Sequence, residues 1–380
     1  MISIKLPSAA NTALLALPLL ALTALIYLWT ARPAGSAEYA AAALLWLIFN
    51  AAFVLMAHTG KTDRWRAPVF SLYAALFAAS YLLGRADVAS RPGVNADFMC
   101  REALPLCHIA AFYNIVPAAL KGTVIWPGVI SGISTSVVSI MLVWLGASLV
   151  LGRGWCSWTC FFGGFDDFFS RLLPQAVIQR TPKWLTSLPV AVLIFTFLLS
   201  TALMFPVYCI ATCAFKVVTE IPAGSSPGEL VRIAMYTSVF ISMVIVLPLL
   251  LKRRAQCSFL CPVGALQAGL GSVSPFDVKV DKAACAACGA CAKACPVLAM
   301  TPESRAAGGP GPTCTRCGKC MDNCPTGAIH YHVKGTPEGS HPELARILFL
   351  YPAFLLMAYF VSGTCVQVTA RLLRFLWGLT

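Results

Sequence analysis

Two stretches, CAACGACAKACP (285–296) and CTRCGKCMDNCP (314–325), each place four cysteines and a proline in twelve residues. Both fit C-x2-C-x2-C-x3-C-P. In that pattern short spacings wrap thiolates around an iron–sulfur cubane, and the last cysteine of each run ligates the other run's cluster. The pattern assigns Cys285, Cys288, Cys291 and Cys324 to one [4Fe–4S] cluster, and Cys314, Cys317, Cys320 and Cys295 to a second. Thiolate sulfur suits iron. Pro296 and Pro325 redirect the chain after the last ligand, and Gly289 and Gly318 let the turns approach a cluster. A zinc site is the competing reading, but two complete copies with both prolines oppose it. Two cubanes this close would form a two-centre electron carrier.

A second pattern recurs outside these runs. GRGWCSWTCFFGG (152–164) resembles RRAQCSFLCPVGA (253–265), with Cys156 matching Cys257 and Cys160 matching Cys261 at an offset of 101. Each copy has an arginine three positions before its first cysteine, Arg153 or Arg254. Residues i and i+4 share a helix face, so two such pairs facing each other would present four thiolates. That set would hold a third iron–sulfur cluster or act as a redox dithiol. The plainer reading is four buried packing residues, a common fate of free cysteine. A further set is Cys100, Cys107, Cys209 and Cys213, with Cys107 and Cys209 again 102 apart; Cys365 is left over. Here metal or cluster ligation and a pair of disulfides both stay open.

These cysteines sit in a chain of 380 residues that is 58% hydrophobic and only 11% charged. Seven apolar runs read as membrane helices: 11–30, 39–57, 67–84, 126–151, 186–206, 232–251 and 345–363. The first is long for a signal peptide and reads as a retained helix. The net charge of +13 does not indicate nucleic acid, because the bases lie between apolar runs, as positive-inside signals do. Their bias puts the N-terminus and residues 252–344 of this multi-pass chain in the cytoplasm. Segment 252–344 has ten bases against six acids, suited to an acidic partner or to anionic lipid headgroups. Polar Gly/Pro-rich connectors, AAGGPGPT (306–313) and KGTPEGSHPE (334–343), separate the two runs and lead to the last helix.

The expected architecture is mainly α, a polytopic bundle of about seven helices with an inserted two-[4Fe–4S] ferredoxin domain. Its parts are N-terminal helices (1–85), an outer loop (86–124), a membrane core with the first C-x3-C (125–251), the ferredoxin segment with the second (252–344), and a last helix and tail (345–380). On the double ferredoxin motif together with CSWTC (156–160) and CSFLCP (257–262), the chain resembles the NapH/MauN/NosR-type membrane polyferredoxins over about 125–330. The resemblance implies respiratory electron transfer at the bacterial inner membrane, between the quinone pool and a redox partner, within a multi-subunit complex. The family motif is C-x3-C-P; the second copy keeps Pro262, whereas the first has Phe161.

Other cofactors find little support. No histidine falls within an expected span and there is no C-x-x-C-H, so haem is not expected. The largest outer loop leaves no room for a flavin domain. Asp166 and Asp167, in the aromatic stretch FFGGFDDFFSRLL (161–173), are candidate proton acceptors beside a quinone headgroup. The plainer reading is an interfacial amphipathic helix. Three functions follow: a quinol-linked electron conduit, a transmembrane reductase serving an outer metal, thiol or enzyme, and a maturation or redox-sensing protein.

Overall fold

The computed structural model describes residues 9–89, 107–113, 115–122, 129–130, 133–134, 137–179, 181–219 and 226–378. Cys100 lies outside the described residues. The chain is mainly helical and divides into two compact units. The first comprises Met1–Tyr73, Ala147–Cys160 and Ala268–Thr380; the second comprises Ala74–Gly146 and Phe161–Gln267.

All seven apolar runs carry helix, but unequally. The long elements are α1 (Ala9–Ala31), α2 (Ser36–Thr59), α3 (Thr62–Ala89), α4 (His108–Tyr113), α5 (Val137–Leu151), α6 (Phe161–Leu172), α7 (Leu188–Leu203), α8 (Pro227–Leu251), α9 (Pro262–Leu270) and α10 (Pro342–Leu376). Five of them, α1, α2, α3, α8 and α10, are long and apolar enough to cross a membrane. The fourth run differs from expectation. A short antiparallel pair (β1 Val129–Ile130, β2 Ile133–Ser134) falls within it, and α5 covers Val137–Leu151. At 1.5 Å per residue, α5 and α7 each reach about 25 Å or less, short of a full bilayer core.

In the first unit α2 packs between α1 and α10. Phe53 meets Tyr351 and Phe354 edge-on at 5.8 and 5.2 Å. Thr30 and Ser362 share a hydroxyl hydrogen bond of 2.5 Å at a π-helical turn, Val361–Cys365, inside α10. The two cysteine runs lie between the strands of one antiparallel pair, β3 (Phe276–Val280) and β4 (Ile329–Val333). Tyr331 of β4 stacks on Phe349 of α10 at 4.8 Å, which seats the ferredoxin segment on its own unit's last helix.

In the second unit α6 packs against α8. Phe161, Phe162, Phe215 and Phe240 form an aromatic core with centroid separations of 4.2 to 5.4 Å. Leu14, Leu17, Ile194, Phe195, Leu198, Leu230 and Val231 are exposed along α1, α7 and α8, as lipid-facing residues of a bundle would be.

Candidate iron–sulfur sites

The cysteine runs fold as near-repeats. The residue before the second cysteine, Ala287 or Arg316, has φ of 53° or 50°, and the glycine after it, Gly289 or Gly318, has φ of 75° or 83°. Each glycine starts one helical turn, Ala290–Ala294 or Lys319–Asp322. This alternation curls each loop so that thiols point inward. The left-handed region explains the glycines, since a Cβ there is strained.

The thiols gather as two crossed sets. Cys285, Cys288, Cys291 and Cys324 line one cavity. Cys295, Cys314, Cys317 and Cys320 line another. Among the described residues no three Cys, His, Asp or Glu side chains converge closely enough to hold a single metal ion. Four thiols around a cavity fit a multi-atom cluster, whereas zinc needs all four sulfurs at about 2.3 Å from one point.

Backbone N–H groups already point at sulfur. Ala299 donates to Cys295 Sγ at 3.2 Å and Arg316 to Cys314 Sγ at 3.4 Å. Burial pushes the Cys314 thiol up to about 12, with the Arg316 N–H opposing it. At Cys324 burial acts upward, but the Thr326 hydroxyl and the N–H groups of Ala328, Thr326 and Gly327 outweigh it and lower the thiol. Such bonds favour thiolate and tune a bound cluster. The two sets differ in access: Cys288 is exposed, whereas Cys295 and Cys317 are buried.

The second set is fastened to the segment carrying Cys156 and Cys160, within the first unit. Fully buried Arg66 donates to the Cys317 carbonyl at 3.2 Å and the Ser157 carbonyl at 2.9 Å, and pairs with Asp63 at 2.6 Å. Trp158 Nε1 donates to the Arg316 carbonyl at 3.3 Å. The Arg316 guanidinium donates to the Leu151 carbonyl and, at 3.1 Å, to that of Gly271. Asp322 accepts the N–H groups of Thr62 and Arg64 at 3.0 and 2.9 Å, capping α3 from the ferredoxin segment.

Cys257 and Cys261 belong to the second unit, and so does their support. The N–H of Cys257 donates to Asp166 at 2.8 Å. Asp167 accepts from fully buried Arg254 at 2.9 and 3.0 Å and from Arg171 at 3.1 Å. Both carboxylates are fully buried. Burial pushes Asp166 up to about 7, with the Cys257 N–H and Arg254 opposing. In this structure the two aspartates pin the second C-x3-C segment rather than line an open headgroup site.

Cys107, Cys209 and Cys213 are in that unit too, and no disulfide joins the described cysteines. The chain reverses after α7. Met204 turns left-handed at φ 57°, and Tyr208 returns to stack on Tyr113 at 5.8 Å. The Tyr113 hydroxyl bonds Thr196, in the middle of α7, at 2.5 Å. His108 is buried edge-on to Phe162 at 6.0 Å, and burial lowers it to about 3, which keeps it neutral.

Comparison with known proteins agrees with the cysteine geometry. Residues 133–178 and 233–280 each match the "4Fe-4S binding domain" family, and 284–329 match the "4Fe-4S dicluster domain" family. The chain is 28% identical over 178 residues to the putative electron transport protein YccM of Escherichia coli, covering 44% of this chain and 48% of that protein. It is 29% identical over 204 residues to the methylamine utilization ferredoxin-type protein MauN of Paracoccus denitrificans, covering 53% and 66%. For MauN of Methylobacillus flagellatus the figures are 32% over 167 residues, 43% and 54%. The chain is thus similar to MauN-type ferredoxin proteins and carries 4Fe-4S domains of the ferredoxin type. It spans about half to two thirds of the length of these relatives. No solved structure matches it. The matched families bind iron–sulfur clusters, and the matched residues contain both cysteine runs and both C-x3-C segments.

Sequence reasoning missed Arg66, Arg316, Trp158 and Asp322 as the residues that fasten the ferredoxin segment. Arg316 carried a signal, since it lies between two of the run's cysteines. Arg66 and Asp322 carried none, because the contacts Arg66–Cys317 and Asp322–Thr62 join residues more than 200 apart.

Proposed function

We propose that this chain carries single electrons between the quinone pool and a soluble redox partner at the cytoplasmic face of a bacterial inner membrane. Cys285, Cys288, Cys291 and Cys324 hold one [4Fe–4S] cluster, and Cys314, Cys317, Cys320 and Cys295 hold the other. Each cubane, when bound, supplies one-electron redox chemistry. The residues of the chain set the route. The first set, with exposed Cys288, faces the soluble partner. The second, with buried Cys295 and Cys317, is tied through Arg66, Trp158 and Arg316 to the Cys156–Cys160 segment.

The observation that carries this reading is the gradient of access between two crossed cysteine sets whose inner member is bonded to the segment after α5. The basic balance of 252–344 supports an acidic partner, docking as a subunit of a larger complex. The five long apolar helices support the membrane, and the distribution of Lys and Arg supports the cytoplasmic side.

The test is anaerobic reduction of the detergent-purified protein by a water-soluble quinol, followed by low-temperature EPR. The expected result is reduced-cluster signals whose shape responds to a quinol analogue. If quinol reduces nothing while a cytoplasmic flavoprotein does and an outer acceptor reoxidises the clusters, the transmembrane-reductase reading replaces it.

A further inference from the structure

The second unit contains a group of thiols that neither ferredoxin run explains. Three of its cysteines, Cys209, Cys213 and Cys261, come from two C-x3-C segments with the same local backbone. Tyr208–Thr212 and Gln256–Leu260 are each one π-helical turn, a rare element that concentrates at functional sites. Each turn ends on the second cysteine in the same extended conformation, φ −66° and ψ 116° at Cys213 and φ −71° and ψ 113° at Cys261. Cys295, a member of the second ferredoxin set, has φ −65° and ψ 115°. The two segments touch, since Gln256 Nε2 donates to the Tyr208 hydroxyl at 3.3 Å.

The elements that carry these thiols pack together: α4, which follows Cys107, lies against the Tyr208–Thr212 turn, and its Tyr113 stacks on Tyr208 at 5.8 Å. Burial raises Cys213 to about 12; Cys107 adds to the rise, the Phe215 N–H and Lys216 oppose it, and Cys261 adds further. Burial raises Cys209 as well, with Cys107 and Cys213 adding and Lys216 opposing. Cys209, Cys213 and Cys261 are buried and Cys107 is half-buried, and the 2% exposed Lys216 is there to offset negative charge.

The sulfurs are also dressed as ligands. The N–H of Phe215 donates to Cys213, and those of Ala110 and Ile109 to Cys107. Donation from residue i+2 is what Arg316 provides to Cys314. The bonds at Cys107 also cap the first turn of α4; N–H groups directed at sulfur favour a thiolate ligand. Cys257 stays out of the group, because its N–H and its thiol both go to Asp166. No three of these thiols converge on a single-ion site, and the same holds of the ferredoxin sets.

We propose that Cys107, Cys209, Cys213 and Cys261 ligate a third iron–sulfur cluster, of the [4Fe–4S] class, inside the second unit. This groups Cys261 with thiols of its own unit, in place of the four-thiol set Cys156, Cys160, Cys257 and Cys261 that the sequence repeat suggests. The proposal shares with the function above only the premise that the chain ligates iron–sulfur clusters. A quinone requirement could fail without touching it.

The test is iron and acid-labile sulfide per chain on the anaerobically purified full-length protein, with EPR on stepwise reduction. The wild type is expected to carry about twelve irons, four beyond the eight of two ferredoxin cubanes. Cys209→Ser and Cys213→Ser each lose about four irons and keep both ferredoxin signals, which shows that the variant is folded. Cys156→Ser and Cys365→Ser keep the full iron content. The proposal is overturned if the wild type carries about eight irons. It is equally overturned if Cys156→Ser loses the third cluster while Cys209→Ser retains it, or if mass spectrometry finds Cys209 and Cys213 joined as a disulfide. The wild-type count needs no variant to fold.

Discussion

The ferredoxin loops and the C-x3-C segments both place cysteines at short spacing, but they present sulfur in different ways. In the loops, left-handed residues at Ala287, Gly289, Arg316 and Gly318 curl the backbone around two cavities, partly open to solvent. In the segments at 208–213 and 256–261, π turns set buried thiols at the end of a helical stretch, and side chains from other elements fix them. The loops carry their geometry locally. The segments borrow it, Cys257 from Asp166, and Arg254 from Asp167. The lesson is that contiguous ligand sets are specified by backbone conformation, whereas dispersed ones depend on buried polar pins.

That contrast predicts where damage falls. The largest effects should come from the pins, because removing one partner strands a buried charge. Arg254→Met removes a fully buried guanidinium from Asp167, and Arg66→Met removes one from Asp63. Each should cost about 3–5 kcal/mol, read as a lower midpoint for loss of the visible iron–sulfur absorption on denaturation. Arg66→Met should also alter the EPR signal of the cluster that Cys317 ligates, and Arg254→Met should leave that signal unchanged. The opposite pattern would remove the distinction between the regions.

Next come the loop glycines, which sharpen the comparison because their surroundings differ. At Gly289 a Cβ meets nothing within 4 Å, so Gly289→Ala should cost only the left-handed strain, about 1–2 kcal/mol. At Gly318 a Cβ would lie 2.8 Å from the Thr62 Cβ, so Gly318→Ala should cost clearly more by the same midpoint assay. Equal effects would mean that the second loop is not held against α3. Asp322→Ala, which removes the cap on α3, should cost about 1 kcal/mol. The smallest effect belongs to the exposed pair of Lys279 and Glu338, where Lys279→Ala should leave the midpoint unchanged.

Much of this was legible in the sequence because the ligand spacing is contiguous. The runs at 285–296 and 314–325 named their own sets, and the apolar runs marked helices that are present. What escaped is physical in origin. Hydrophobicity alone could not show that a short strand pair would fall within the fourth run, nor that Met204 would turn the chain back along α7. Spacing also suggested Asp166 and Asp167 as solvated or headgroup-facing acids, since their burial depends on Arg254, 87 residues away.

The most direct test of the crossed ligand sets compares EPR spectra of three variants, Cys324→Ser, Cys285→Ser and Cys314→Ser, in the reduced full-length protein. The crossed arrangement predicts that Cys324→Ser perturbs the same signal as Cys285→Ser and leaves intact the one altered by Cys314→Ser. If Cys324→Ser instead alters the signal that Cys314→Ser alters, each run holds its own cluster and the account is wrong.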